Sequence, residues 1–149
     1  MDLNEFLQNP RESLNIELKS WIDPNTPEGK SKIIKTAIAL RNFNGGYLGI
    51  GISDKGIPLV DETPNNLDEI FHQDSIQALI TKYSSEPFEI TIEFGEFQGK
   101  NFPFIVVPSG VRTPVAAKAR LQDLSKPPRD LVKQDTVYVR TLAANNTPS

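Results

Sequence analysis

The 149-residue chain contains no cysteine, which excludes disulfide bonds, thiolate metal sites and a cysteine nucleophile. Its length suffices for a single core that buries roughly two-thirds of the surface of the unfolded chain. The N-terminus lacks the features of a signal peptide, and no apolar run approaches the roughly 18 residues of a membrane span. We therefore expect a cytoplasmic protein with no membrane partner.

Charge is distributed unevenly along the chain, although the net charge at pH 7 is only −3. Residues 1–110 contain nine Lys or Arg against sixteen Asp or Glu, whereas residues 111–149 contain seven Lys or Arg against three Asp. The net charge argues against a strongly basic nucleic-acid-binding protein, but the segregation allows a basic face. A C-terminal loop whose charges are merely solvated is the alternative.

In the N-terminal half, hydrophobic periodicity predicts two helices and two strands. Alternation of apolar and ionised residues around Glu17 is typical of a half-buried strand, with Glu17 and Lys19 on the polar face. Gly45 and Gly46 end the longer helix, because glycine reaches the left-handed conformation that helix C-termini favour. The predicted elements are a helix at 3–7, a strand at 15–22, a helix at 30–43, a strand at 47–52 and a tight turn at 54–56.

In the C-terminal half, the pattern predicts a second main helix followed by four strands. These elements are a helix at 67–83 and strands at 88–94, 102–107, 115–119 and 136–141, with a loop at 120–135 and a flexible tail at 143–149. The order predicts an α+β (mixed α/β) fold, in which a mixed β-sheet is flanked by two main helices. We expect one domain over residues 1–149, with the N-terminal part of a longer protein as the alternative.

Three carboxylates occur at or near the ends of predicted strands. Glu17 lies within a strand, Glu12 precedes it, and Asp54 follows the strand at 47–52, where functional sites commonly form. Clustered carboxylates repel one another unless a divalent cation or a cationic ligand joins them. We predict that the three acids converge; the alternative is that they are solvated. Lys19 is a candidate phosphate contact on the strand face of Glu17, or a surface lysine.

Basic residues of the C-terminal third are the best candidates for nucleic-acid binding. We expect them to contact the phosphate backbone rather than the bases. The candidates are Arg112, Lys118, Arg120, Lys126, Arg129 and Lys133. Trp21 and Tyr47 are expected to pack in the core or at its edge, and His72 is expected to have a surface or packing role within a helix.

Several short motifs follow one another in an order that resembles the Schlafen AlbA-like domain. They are ESLNIELK at 12–19, ALRNFNGG at 39–46, GIGISD at 49–54, VPSGVRTP at 107–114, VYVRT at 137–141 and NTPS at 146–149. The resemblance covers nearly the whole chain and implies work on nucleic acid. In Schlafen nucleases a three-carboxylate site cuts structured RNA, notably transfer RNA, with Mg²⁺ or Mn²⁺. The matching positions are Glu12, Glu17 and Asp54.

The resemblance therefore implies a metal-dependent endoribonuclease. Its catalytic residues would be Glu12, Glu17, Asp54 and Lys19, with Mg²⁺ or Mn²⁺ held by the three acids. Hard carboxylate oxygens suit these cations, which offset the charge that develops during phosphodiester cleavage. Because Schlafen nuclease cores resemble two such lobes clasping RNA, we also expect a homodimer. The alternatives are a non-catalytic DNA- or RNA-binding module of a transcription-regulator type and a protein-interaction domain.

Overall fold

A computed structural model describes residues 1–125 and 127–141. The helices are α1 (Leu3–Phe6), α2 (Pro27–Asn42), α3 (Leu67–Ile70) and α4 (Gln73–Tyr83), with a short 3-10 helix at Val60–Glu62. The strands are β1 (Ile16–Lys19), β2 (Gly46–Ile50), β3 (Thr91–Phe97), β4 (Lys100–Val107), β5 (Leu121–Asp123) and β6 (Arg129–Val132). None of the helices in these described residues is long and apolar enough to cross a membrane.

The central feature is a four-stranded sheet in the order β1-β2-β4-β3. Strands β1 and β2 run parallel, with Glu17 opposite Leu48, whereas β4 runs antiparallel to both of its neighbours. The prediction of a mixed sheet in an α+β fold is confirmed. Strand β1 lies at one edge of this sheet, so one side of its backbone has no strand partner.

Helix α2 covers one face of the sheet and supplies much of the core. Its N-cap Thr26 accepts a hydrogen bond from the backbone N–H of Gly29, and Pro27 occupies the first turn, where no intrahelical donor is lost. The helix therefore begins earlier than predicted. Its apolar side packs on β2 and β4, and its flanks pack against α4 and against β5 and β6.

The turn between α2 and β2 brings the start of β2 against the segment before β1. A Cβ atom on Gly46 would lie 2.2 Å from the carbonyl oxygen of Asn15, so only glycine fits there. The same carbonyl accepts a hydrogen bond of 2.8 Å from the N–H of Tyr47. This close approach fixes the start of β1, and with it Glu17, beside β2.

Four of the elements predicted in the C-terminal half were wrong, and three of these precede residue 136. The helix predicted at 67–83 is divided into α3 and α4, because His72 stands outside the helix as the N-cap of α4 and its Nδ1 accepts the N–H of Asp74. The loop predicted at 120–135 contains the β5–β6 hairpin, which buries Val132. The strand predicted at 115–119 is reduced to one bridge between Ser84 and Ala117.

Residues 136–141 do not form the predicted strand either. Their backbone groups bond to side chains and to an irregular segment: the carbonyl oxygen of Tyr138 accepts the Asn42 amide, and that of Thr136 accepts the N–H of Ala117. A segment held in this way needs no neighbouring strand. The tail predicted at 143–149 lies outside the described residues, and the single-domain assignment stays a prediction.

Candidate functional site

Glu17 is completely buried, although the sequence pattern predicted it on a polar strand face. Its side chain is 0% exposed, and Oε2 accepts a hydrogen bond of 2.9 Å from Nη1 of Arg140. Oε1 lies 3.2 Å from Nζ of Lys19, as an ion pair without hydrogen-bond geometry. Two cations thus offset the desolvation of one buried carboxylate. No local pattern could have revealed the main partner, because Arg140 is 123 residues away in the chain.

Arg140 also binds the exposed edge of the sheet. Its Nε donates to the carbonyl oxygen of Leu14 at 3.2 Å, and Nη2 donates to those of Ser13 at 3.0 Å and Ile16 at 3.4 Å. The oxygens of Ser13 and Ile16 also accept each other's backbone N–H, at 3.2 and 3.0 Å, and the guanidinium group binds beside these bonds. The segment that carries Arg140 is fixed to the beginning of β1.

Glu12 is half-buried and lies in the electrostatic field of the Glu17–Arg140 pair. Burial raises the pKa of the Glu12 carboxyl above its ordinary value of 4.5, and the negative charge of Glu17 raises it further. The backbone N–H of Leu18, Arg140 and Lys19 act in the opposite direction on this pKa. The structure therefore brings together two of the three predicted acids and the predicted Lys19.

Asp54 is exposed on a turn closed by a 2.9 Å hydrogen bond from the N–H of Gly56 to the carbonyl oxygen of Ser53. This turn lies against Pro10, whose carbonyl oxygen would be 2.4 Å from a Cβ on Gly56. Its backbone is thus close to the segment that leads to Glu12. Asp54 is nevertheless not among the groups that shift the pKa of Glu12.

The described residues do not contain any group of three or more His, Asp or Glu side chains arranged to hold a metal ion. In particular, the Glu17 oxygens already face Arg140 and Lys19. Three carboxylates have the right donor chemistry for Mg²⁺ or Mn²⁺, but this arrangement does not fit such an ion. We therefore derive no metal-assisted step, and the cofactor stays a prediction.

The described members of the predicted cation set are all exposed: Arg112, Lys118, Arg120, Arg129 and Lys133. Lys126 lies outside the described residues. Arg129 already faces two acids, since its Nη2 lies 3.5 Å from Oε1 of Glu28 and 3.5 Å from Oδ2 of Asp123. Its charge is thus partly offset within the protein, which makes Arg129 the weakest phosphate contact of the set.

A cluster of lysines forms where α2, β1 and the loop after β6 meet. We call Lys19, Lys32, Lys35 and Lys133 the lysine cluster. At its centre Nζ of Lys35 lies 5.9 Å from the ring centroid of Tyr138, whose hydroxyl oxygen accepts the backbone N–H of Lys133 at 3.0 Å. Burial lowers the pKa of Lys35 below 10.5, and the charges of Lys19, Lys133 and Lys32 lower it further.

Positive charge in this cluster is only partly neutralised within the protein. Lys19 faces Glu17, whereas among the described residues no carboxylate pairs with Lys32, Lys35 or Lys133. Our sequence reasoning omitted Lys32 and Lys35 from the site. Their three-residue spacing does place both on one helix face, but their approach to Lys133 depends on the packing of β6 against α2.

The aromatic residues outside this cluster have the predicted packing roles. Trp21 stacks on Phe102 with ring centroids 5.6 Å apart, and its Nε1 donates to the carbonyl oxygen of Leu59 at 3.0 Å. Tyr47 packs at the margin of the same apolar group. Both rings thus pack at the edge of the core.

Two solved structures share this fold. The DIP2311 protein from Corynebacterium diphtheriae superposes with a TM-score of 0.56 at 16% identity, over 87% of this chain and 25% of that protein. The N-terminal domain of a RecG-related protein from Nitrosomonas europaea gives a TM-score of 0.55 at 24% identity, over 79% of each chain. The chain thus spans about a quarter of the DIP2311 protein. No curated protein matches the sequence significantly.

The family comparison agrees with the motifs read from the sequence. The family model described as "Schlafen, AlbA_2" matches residues 12–148. The matched range includes Glu12, Glu17 and every member of the lysine cluster. The chain belongs to the Schlafen AlbA_2 family, and this membership indicates a nucleic-acid-binding domain.

Proposed function

We propose that the protein binds nucleic acid as a module that contacts the phosphate backbone through the lysine cluster. The observation that carries this proposal is the meeting of Lys35, which lies over the Tyr138 ring, with three other lysines from β1, α2 and the segment after β6. Three of these lysines have no acidic partner among the described residues. A structural role alone would favour opposite charges at such a junction.

The energetics of the cluster favour an anionic ligand. Like charges that are close together disfavour the charged forms, and partial burial strengthens this effect because water screens the charges less. A phosphate group between the lysines would replace repulsion with attraction. Lysine binds phosphate as a compact point charge on a flexible stem, which suits contacts to a backbone that carries no sequence information.

The basic surface continues from the cluster towards Lys118. The N–H of Ala117 donates to the carbonyl oxygen of Thr136, and that of Asp135 donates to the carbonyl oxygen of Ala117. These two bonds tie Lys118 to the turn that begins at Lys133. Lys118 and Arg120 are exposed and make no ion pair with a described residue. They offer further phosphate contacts.

Structured RNA such as transfer RNA is the ligand that we propose, because the family resemblance implies it; DNA is the alternative. Fluorescence anisotropy with labelled transfer RNA and with single- and double-stranded DNA compares them. Replacing Lys32, Lys35 or Lys133 with glutamine should weaken binding and reduce the salt slope by about one per lost phosphate contact. Lys100→Gln, at an exposed lysine of β4, is the matched control.

Two results would contradict this proposal. One is wild-type protein that binds none of these nucleic acids at low salt. The other is an equal loss of affinity in Lys35→Gln and Lys100→Gln, since the two variants remove the same charge at different places. Far-UV circular dichroism confirms that each variant is folded before its affinity is compared.

Metal-dependent RNA cleavage is the second candidate, and the approach of Glu12 to Glu17 favours it. It requires Glu17 to exchange Arg140 for a metal ion and Asp54 to join the two glutamates. The proposed participants are Glu12, Glu17, Asp54 and Lys19, with Mg²⁺ or Mn²⁺. Incubation of transfer RNA with each cation and with EDTA tests it. Cleavage that EDTA and Asp54→Ala both abolish supports the nuclease, and RNA that is bound but intact rejects it.

A further inference from the structure

We infer that Arg140 takes the place of a metal ion at the Glu12–Glu17 pair and locks residues 136–141 onto β1, where Tyr138 completes the lysine cluster. The first part of this inference, that Arg140 replaces a metal ion, is independent of the proposed function. The second part, that Arg140 positions Tyr138 in the lysine cluster for binding, rests on that function. Arg140 is thus a positioning residue for nucleic-acid binding rather than a contact to the ligand.

The burial of this ion pair is the first argument. The side chains of Glu17 and Arg140 are 0% and 2% exposed, and the guanidinium group makes four hydrogen bonds to β1 and to the segment before it. A buried pair with so many bonds differs from a surface pair, which contributes little. Removal of Arg140 leaves the buried Glu17 carboxylate with Lys19 alone, and removal of Glu17 leaves the buried Arg140 without the carboxylate that it contacts.

The charges around Glu17 are the second argument. Mg²⁺ binds carboxylate oxygens directly and demands nearly octahedral geometry. Here Oε2 faces Nη1 of Arg140 at 2.9 Å, and Oε1 faces Nζ of Lys19 at 3.2 Å. A divalent cation at either oxygen would meet a positive charge that is already in contact. Arg140 and Lys19 therefore supply the positive charge that the clustered acids require.

The position of Tyr138 is the third argument. Tyr138 and Arg140 are two residues apart, and the residues that alternate with them, Val137 and Val139, are 43% and 49% exposed. Tyr138 therefore lies on the same, inward side as Arg140. Because Arg140 is fixed to β1, the Tyr138 ring is held against Lys35 and its hydroxyl against the N–H of Lys133. Without Arg140, this segment keeps its bonds to Asn42 and Ala117 but loses its attachment to β1.

Thermal unfolding in millimolar Mn²⁺ and in EDTA tests the charge assignment without any nucleic acid. We expect the same melting temperature of the wild-type protein in both solutions. Stabilisation by Mn²⁺ that is lost in Glu17→Gln would overturn the inference, because Glu17 would then be a metal ligand. Glu12→Gln, at the other acid of the pair, takes the place of Glu17→Gln in this comparison if Glu17→Gln does not fold.

A double-mutant cycle tests whether the Arg140–Glu17 ion pair attaches residues 136–141 to β1. Arg140→Gln and Glu17→Gln should each lower the melting temperature, and the double variant should lose less than the sum of the two, since it leaves no unpaired buried charge. Additive losses would overturn the inference. A double variant that folds while Arg140→Gln alone does not would support it.

The positioning role has a separate readout in RNA affinity. The folded double variant should bind transfer RNA more weakly than wild type, and adding Lys35→Gln to it should cost much less affinity than the same change costs in wild type. If Lys35→Gln costs as much affinity in the double variant as in the wild-type protein, Arg140 does not act through the lysine cluster. If wild-type protein binds no nucleic acid, the proposed function fails, whereas the Mn²⁺ and stability results still decide the assignment of Arg140.

Discussion

Lys35 carries its charge in a place where both burial and neighbouring lysines oppose it. Its pKa is therefore lowered below 10.5, so the folded protein binds this proton less tightly than the unfolded chain does. The free energy of unfolding therefore increases as pH rises from the lowered pKa towards 10.5. Below the lowered pKa this contribution to stability is absent. A phosphate ligand prefers the protonated form, so binding and stability respond to pH in opposite directions.

Affinity for transfer RNA should fall as pH rises through the lowered pKa of Lys35. Anisotropy titrations over a series of pH values below 10.5 measure this fall. Lys35→Arg is the control, because arginine keeps its charge throughout this range, and its affinity should depend less on pH. Identical pH profiles for the two proteins would remove Lys35 from the interface.

Glu12 offers a second test at the scale of one side chain. Its raised pKa means that the ionised carboxylate lowers the stability of the folded state, fully above the raised pKa and not at all below 4.5, where folded and unfolded chains are both protonated. Glu12→Gln should therefore raise the melting temperature at pH 7, and the gain should shrink as pH falls towards 4.5. Glutamine can still accept the N–H of Leu18.

Calorimetry of this variant beside Glu89→Gln, a change at an exposed glutamate, measures the difference. An unchanged or lower melting temperature at pH 7 would mean that the attraction of Glu12 to Arg140 and Lys19 outweighs its burial. Such a result would contradict a raised pKa of the Glu12 carboxyl.

Helices and strands differed in how far the sequence predicted them. Helix α2 has a continuous apolar stripe, a proline in its first turn and glycines after its end, and all of these signals are local. The division between α3 and α4 depends on His72 leaving the helix to cap the next one, and hydrophobic periodicity continues through that break. Residues 136–141 alternate like a strand, but side chains from α2 and β1 provide their partners.

The core contribution of α2 can be measured at Leu40, which is 0% exposed. Leu40→Ala should lower the free energy of unfolding by about 2–5 kcal/mol, through lost burial and the cavity left behind. Urea denaturation gives this value. Leu124→Ala is the matched control at a leucine that is 76% exposed, and it should change stability little. Equal losses in the two variants would contradict the packing of α2 described here.

For the whole molecule, the predicted class of fold and the family are confirmed, but the proposed binding surface is not a sequence motif. The acids at 12 and 17 were found from their spacing, whereas Arg140 entered the sequence analysis only as part of a C-terminal motif. The lysine cluster joins positions 19, 32, 35 and 133, which no local pattern connects. These lysines come together only because α2 packs against β6, so the sequence alone did not predict the cluster.

Assembly is the remaining prediction at this scale. If two copies form a shared basic groove, the protein should sediment as a homodimer, with a dissociation that follows concentration. Sedimentation velocity over a hundredfold range of concentration measures this. Transfer RNA added at a fixed ratio shows whether the ligand changes the stoichiometry. A single monomeric species at every concentration would contradict the prediction.

The hydrogen bond from Arg140 to Glu17 joins positions 123 residues apart, and it has a consequence for the order of folding. Closing so long a loop has a large entropic cost, so this contact forms after the local elements. During synthesis, Glu17 has no arginine partner until position 140 has left the ribosome. The nascent sheet edge thus stays open while the rest of the core can already pack. The attachment of residues 136–141 to β1, and with it the proposed binding surface, is then completed late in folding.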